Sequence, residues 1–320
     1  MKNILVVGGA GYIGSHVAYD LNDKGYDTII YDDLSTGFEG NLDCRSTFIK
    51  GSIFDEALLD KALKNVDTVI HLAALKNAGE SMIKPTKYAE HNIYGSLKLI
   101  KACIKNNIKN FIFSSSAAVY GKPKYLPVDE NHPMNPINYY GYTKLCIEQN
   151  LIWFNKIKNL RISCLRYFNA AGYDMNGRIK CKETNSGNLL PIVMEVLSGQ
   201  RKKLQVYGDD YDTPDGTCLR DYIHVSDLAS AHVSAINYLE NNSEPLILNL
   251  ATGNSFSVYD VIKETEITTR KKIEYEVVGR RFGDPDKLYS KSIKANKLLN
   301  WEPKSSNLKT IIDSMWRIYK

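Results

Sequence analysis

VVGGAGYIGSH, Val6 to His16, sits between a short apolar run and an amphipathic one. Its glycines Gly8, Gly11 and Gly14 fall where a first strand would turn into a first helix. There the missing side chains permit a tight turn, close backbone approach to a pyrophosphate, and tight packing of helix on strand. The helix N-terminus then offers phosphates its free N–H groups and partial positive charge. In YDD the second apolar run ends on Asp32, 18 residues after Gly14. That spacing suits a carboxylate that accepts hydrogen bonds from adenosine ribose hydroxyls and repels a 2′-phosphate, so the pattern points to NAD rather than NADP as cofactor. Asp33 is expected to be a solvated neighbour, because adjacent strand residues face opposite sides.

Outward from this turn, short apolar runs recur at Ile4 to Val7, Thr28 to Ile30, Thr68 to Leu72, Phe111 to Phe113 and Ile162 to Phe168. Amphipathic stretches lie between them, with helices expected after the glycine cluster and over 56–64, 85–106 and 142–155. Near-continuous apolar strands alternating with helices predict an α/β fold: a Rossmann-like doubly wound parallel sheet covered on both faces. Past Gly172 the polar stretch Tyr173 to Asn188 interrupts this rhythm and shorter, irregular elements follow. The expected division is a dinucleotide-binding domain over 1–172, to which later segments are free to return, and a smaller mixed α/β substrate-binding domain over 173–320.

Composition narrows the function. The chain has 320 residues and a formal net charge of +5, with its basic residues interspersed among acids. This argues against a nucleic-acid binder and is compatible with an anionic small substrate. Six scattered cysteines form no Cys-x-x-Cys pair, so neither a zinc site nor a disulfide framework is expected. His224 and His232, eight residues apart, are expected to be structural, with no metal. No apolar stretch reaches membrane-spanning length and no signal-peptide pattern opens the chain, which predicts a soluble cytoplasmic protein.

The hexapeptide YYGYTK, Tyr139 to Lys144, carries the chemistry. On a helix only Tyr140 stands four residues from Lys144 and shares its face. A neighbouring ammonium is expected to draw the phenol's pKa down from near 10, toward general-base range. SSSAAVYG places Ser116, 24 residues before Tyr140, at the C-terminal edge of a strand, where ligands bind in open α/β sheets.

Glycine turn, strand-end serine and Tyr-x-x-x-Lys together resemble the extended short-chain dehydrogenase/reductase family. LRYFNAAG from Leu165, GNLLP from Gly187, DGTCLRDYIHVSDLA from Asp215, RRFGDP from Arg280 and LNWEPK from Leu299 narrow the resemblance to the UDP-glucose 4-epimerases, over nearly the whole chain. What that resemblance implies is reversible inversion at C4 of a UDP-sugar through a 4-keto intermediate, with tightly held NAD. Tyr140 would take the proton of the 4-hydroxyl, Lys144 would hold the cofactor ribose and tune Tyr140, and Ser116 would orient the hydroxyl.

The resemblance also implies cofactor contacts from Gly8, Gly11, Tyr12, Ile13, Gly14 and Asp32, from Ser52 and Ile53, and from Lys76, Asn92, Ser114 and Tyr167. At the nucleotide end Arg220 and Arg281 would clamp the diphosphate, as planar multidentate guanidinium groups do well. Asn169, Asn188 and Leu189 match substrate-loop positions, Tyr207 a ring beside uracil, and Asp284 a ribose-binding acid. Leu288 matches a position whose bulk decides whether an N-acetyl group fits. Two departures stand out: Ser52 replaces an acid that usually meets adenine, and Tyr94 replaces a polar asparagine.

A nucleotide-sugar dehydratase or decarboxylase of the same scaffold needs acids just after the strand-end hydroxyl, where this chain has Ala117 and Ala118. A cofactor-releasing reductase and a non-catalytic NAD sensor are the other rivals, and a sensor has little use for Ser116, Tyr140 and Lys144 together. A homodimer through the helices near 85–106 and 142–155 is implied by the resemblance.

Overall fold

The computed structural model describes residues 2–183, 187–281 and 283–320; Phe282 of RRFGDP and residues 184–186 of the polar stretch lie outside them. The first half alternates strand and helix: β1 (Asn3–Val7), α1 (Tyr12–Asp23), β2 (Asp27–Asp32), β3 (Thr47–Lys50), α2 (Glu56–Ala62), β4 (Thr68–His71), α3 (Ala78–Ile83) and α4 (Pro85–Tyr88). A π-helical turn over Ala89–Tyr94 leads into α5 (Gly95–Lys105), followed by β5 (Asn110–Ser116), α6 (Tyr139–Lys158), β6 (Arg161–Tyr167) and β7 (Asn169–Ala171). The helix expected over 85–106 is therefore split by the π turn, and α6 starts three residues earlier than the apolar pattern suggested. Asn138 sets that start, its Oδ1 accepting from the Gly141 N–H at 2.8 Å as an N-cap.

The second half comprises α7 (Leu189–Leu197), β8 (Leu204–Tyr207), β9 (Leu219–Arg220), β10 (Tyr222–His224), α8 (Val225–Asn241), β11 (Leu246–Leu250), α9 (Val258–Thr269), β12 (Tyr275–Val278), β13 (Lys287–Leu288), α10 (Ile293–Leu299) and α11 (Leu308–Tyr319). Strands β11, β6, β5, β4, β1, β2 and β3 lie in that order in one sheet whose pairs are all parallel. The order reverses between β1 and β4, the switch point where such sheets bind ligands beyond their strand ends. β11 and α8 are late segments that return to the first half: β11 closes the sheet beside β6.

Alternation within the strands separates two cores. Ile4, Val6, Ile70, Ile112 and Leu248 face α1 and α8 through Val17, Leu21, Ala235 and Ile236. Leu5, Val7, Val69, Phe111 and Ile162 face the other way, onto Leu59, Leu99, Ile147 and Leu151. A third core joins α7, α9 and α11 through Val193, Met194, Val261 and Ile312. It takes in Leu204 and Val206 of the small parallel pair β8–β12, while β9 and β13 form a second such pair. No helix among the described residues is long and apolar enough to cross a membrane.

Candidate active site

The glycine turn is built for close backbone approach. Gly8 has φ +83°, and a Cβ there would lie 2.5 Å from the Ala73 nitrogen; one on Gly14 would lie 2.1 Å from the Gly8 carbonyl oxygen. Gly11 caps α1 without a side chain, so the N–H groups of the first turn, from Tyr12, Ile13 and Gly14, have no intrahelical partner. The Tyr12 phenol is turned away and donates to the Gly172 carbonyl oxygen, while Ile13 packs partly into the core under the sheet. Asp32 is buried at the end of β2, accepting from Ala10 N at 3.0 Å and Leu34 N at 2.8 Å. Burial raises its pKa and those N–H bonds oppose the rise. Asp33 is exposed, as expected. This is a cradle a Cβ would fill with a carboxylate 18 residues on, and it fits a dinucleotide.

At the far end of the crevice Ser52 Oγ accepts from Phe54 N at 3.3 Å, and its carbonyl accepts from the Tyr31 hydroxyl at 2.8 Å. Ile53 packs against Gly95, where a Cβ would sit 2.5 Å from Ile53 Cδ1. Tyr94 lies on the outside, over half exposed and covered by the Lys98 ammonium, so its replacement of asparagine does not touch the crevice wall. Asn92 is buried within the π turn. Its amide accepts from Leu75 N at 2.8 Å and donates to Leu75 O at 2.9 Å and to Thr143 Oγ1 at 3.1 Å. It therefore ties the loop after β4 to α6, a role unlike that of a surface amide. Lys76, on that loop, is ion-paired with Glu183.

Tyr140 and Lys144 project from the first turns of α6 onto the end of β5. Tyr140 N donates to Ser81 Oγ at 3.0 Å, and a Cβ on Gly141 would lie 2.4 Å from the Ala118 carbonyl oxygen. The helix start is thereby pressed against the loop after β5, and the Tyr140 phenol lies beside the Ser116 hydroxyl. Lys144 is 4 % exposed and donates to the Ser114 carbonyl oxygen at 2.7 Å, its ammonium 4.8 Å from the Phe113 ring centroid and 5.8 Å from that of Tyr140.

The electrostatics depart from expectation. Burial raises the Tyr140 pKa, with the Ser116 hydroxyl opposing, where the sequence suggested a lowered one. Burial also lowers Lys144 to about 7, opposed by Glu148. The sequence shows the two residues side by side but not that both are desolvated, and desolvation disfavours each charged form. Tyr167 lies beside Ser114, and its hydroxyl meets His232 Nε2 at 2.5 Å. His232 Nδ1 donates to Leu228 O at 2.8 Å, so Nε2 accepts and Tyr167 donates.

Beyond these residues a cleft opens between β8, β9 and the start of α7. Asn169, Asn188, Leu189, Tyr207, Arg220, Arg281 and Asp284 all line it. Asp284 stands between the two guanidinium groups: Arg281 Nε donates to it at 2.8 Å and Arg220 Nη2 lies 3.8 Å away. Arg281 also covers the Tyr207 ring at 5.5 Å. Asn169 Nδ2 donates to Asp221 O at 2.8 Å. Leu288 is the register partner of Arg220 and packs partly against the group containing Ala117 and Phe168.

The family model described as "NAD dependent epimerase/dehydratase family" matches residues 4–251. The chain belongs to the NAD dependent epimerase/dehydratase family. A UDP-glucose 4-epimerase of Halalkalibacterium halodurans is 44% identical over 319 residues, covering 99% of this chain and 95% of that one. The crystal structure of UDP-glucose 4-epimerase from Brucella ovis in complex with NAD superposes with a TM-score of 0.96 at 41% identity, covering 100% of this chain and 98% of that one. The enzyme from Bifidobacterium longum, in complex with NAD+ and UDP, gives 0.94 at 40% identity, covering 99% and 98%.

Within this epimerase-family fold, two buried acids escaped the sequence reading. Glu148, 1 % exposed, follows Lys144 by one helical turn and is paired with Arg166. The signal was present in YTKLCIE, where the acid continues the Tyr140–Lys144 face. Asp221 is fully buried and accepts from Thr252 N at 3.0 Å, Thr252 Oγ1 at 2.9 Å and Gly253 N at 3.1 Å. It carries a pKa raised to about 6 by burial. A lone acid inside CLRDYIHV was its signal.

Proposed function

We propose that this protein is a UDP-glucose 4-epimerase, interconverting UDP-glucose and UDP-galactose with retained NAD. The observation that carries this reading is the meeting of Ser116, Tyr140 and Lys144 at the end of β5, next to a cleft lined by Arg220 and Arg281. NAD, which the Gly8–Gly14 turn and Asp32 would hold, would supply the hydride acceptor and, while oxidised, a positive charge favouring the phenolate. Tyr140, as phenolate, accepts the proton of the sugar 4-hydroxyl as C4 loses hydride, and Ser116 orients that hydroxyl. Lys144, held by the Ser114 carbonyl, favours the phenolate by its charge and would donate to the cofactor ribose. The arginines would keep the diphosphate fixed while the 4-keto sugar turns over and takes hydride on its other face, and Tyr140 would give the proton back. Proton and hydride both return, so no net redox change results.

Residues 1–172, joined by α8 and β11, form the NAD-binding part in this reading, and the rest of 173–320 the UDP-sugar part. Asp32 and the first-turn N–H groups take the adenosine ribose and the pyrophosphate, with Lys76, Asn92 and Tyr167 closing the nicotinamide end. Ser52 offers adenine a hydroxyl and backbone in place of an acid. Ala117 and Ala118, unable to move protons at C5 and C6, disfavour a dehydratase. Six free thiols, with Cys44 exposed, suit a reducing cytoplasm. A homodimer is supported by the exposed Tyr142, Trp153 and Ile157 along α6.

The deciding experiment is proton NMR of UDP-galactose incubated with purified protein and no added cofactor. UDP-glucose rising to an equilibrium mixture is expected. No conversion, even with NAD added and UDP-N-acetylgalactosamine tried, overturns the reading. Conversion of the N-acetylated sugar would show that Leu288 leaves room for the acetamido group.

A further inference from the structure

Along α6, Tyr140, Lys144 and Glu148 follow at four-residue spacing and share one face. The three serines that end β5 each engage one of them. The Ser116 hydroxyl lies beside the Tyr140 phenol, Ser114 O accepts from Lys144 Nζ at 2.7 Å, and Ser115 Oγ donates to Glu148 Oε1. Glu148 is also clamped by Arg166, Nε to Oε1 at 3.0 Å and Nη2 to Oε2 at 2.6 Å, with both side chains at 2 % exposure or less. Arg166 stands in β6 in register with Ser115 of β5 and Asn249 of β11. Its Nη1 donates to the Tyr120 hydroxyl at 2.8 Å, which donates to Asn249 Oδ1 at 2.6 Å.

A buried ion pair is weak evidence for stability, since well-packed apolar replacements often do as well. Its placement under the catalytic turn asks for another account. We propose that Glu148, clamped by Arg166, is a positioning residue for Lys144: through Ser115 it locks the turn of α6 carrying Lys144 onto the end of β5 and keeps its carboxylate one helical turn from the ammonium. The proposal rests on the roles given above to Tyr140 and Lys144. The groups around Lys144 are Phe113 and Ser114 from β5, His71 from β4, and Tyr140 and Glu148 from α6. His71 is held neutral, its pKa lowered to about 3 by burial and next by Lys144. Glu148 is therefore the anion of this set, and Arg166 meets Glu148 rather than Lys144.

The test is Glu148→Gln in the NAD-loaded protein, with the double variant Glu148→Gln/Arg166→Met alongside so that no unpaired guanidinium remains buried. Lysine labelled with carbon-13 at the ε position is titrated by NMR, the Lys144 signal assigned by its loss in Lys144→Arg. The expected result is a lower Lys144 midpoint in both variants, and a kcat at least about tenfold below wild type with KM and bound NAD little changed. An unmoved midpoint, with only a lower Tm, means the pair is structural and overturns the proposal. The NMR arm needs no turnover, so a wild-type protein that fails to epimerise would strike the functional reading while the midpoint still judges Glu148.

Discussion

Lys144 donates to the carbonyl oxygen of Ser114 at 2.7 Å, a neutral partner for a buried cation. A carbonyl offsets less of the lost hydration than a carboxylate would, so the ammonium titrates near 7, against an ordinary 10.5. Between those values the unfolded chain binds a proton that the folded site gives up. Stability contributed at this residue therefore rises with pH across that window and is lowest below about pH 7. Lys144→Met is expected to raise the Tm of NAD-free protein, by about 2 °C for each kcal/mol recovered, while abolishing turnover. The gain should be larger at pH 6 than at pH 9. Scanning calorimetry at the two values checks this, and a gain independent of pH would contradict it.

Tyr140→Phe removes the phenolic oxygen and leaves the ring. Turnover is expected to fall by about 10²–10⁴-fold, the usual share of a general base. NAD content, read by absorbance after denaturation, and UDP affinity should hold. Turnover unchanged within about threefold would exclude the base role.

How far the sequence reached is clear from particular residues. The apolar runs of β1, β2, β4, β5 and β6 were legible because strands buried on both faces leave few polar interruptions. Residue spacing along one helix was enough to single out Tyr140 and Lys144. What it missed depends on contacts distant in the chain. β11 joins the sheet beside β6, about 80 residues earlier by register of Leu246 with Ser163. Asn92 is buried because Thr143, 51 residues on, comes to meet it. The direction of the Tyr140 shift was misjudged for the same reason: a helix pair shows charge, whereas burial comes from strands elsewhere.

Arg220→Ala should separate the two ligands. Arg220 lines the cleft and approaches Asp284 at 3.8 Å, well away from the glycine turn in the chain. A lost charge-assisted hydrogen bond of about 1.5–3 kcal/mol predicts roughly 10–150-fold weaker UDP binding by calorimetry. Bound NAD is expected to stay at the wild-type amount. Equal loss of both ligands would tell against a diphosphate role.

The outer face of α6 presents large apolar side chains to solvent. Tyr142, Trp153 and Ile157 are 49 %, 62 % and 61 % exposed. From 142 to 153 is eleven residues, three turns, and from 153 to 157 is one more, so the three form a single stripe along the helix. Tyr94, at the neighbouring π turn, is 53 % exposed as well. Aromatic side chains presented together in this way are what protein interfaces collect at their centres, and a twofold axis across α6 would let each stripe cover its copy. Trp153→Glu combined with Ile157→Lys is expected to convert a dimer to a monomer in size-exclusion chromatography with light scattering. Both changes lie on the solvent side, more than three turns along α6 from Tyr140, so turnover per chain should stay within about threefold of wild type. A wild-type protein that runs as a monomer at all concentrations would contradict the interface, and a variant that remains dimeric would place it on another face.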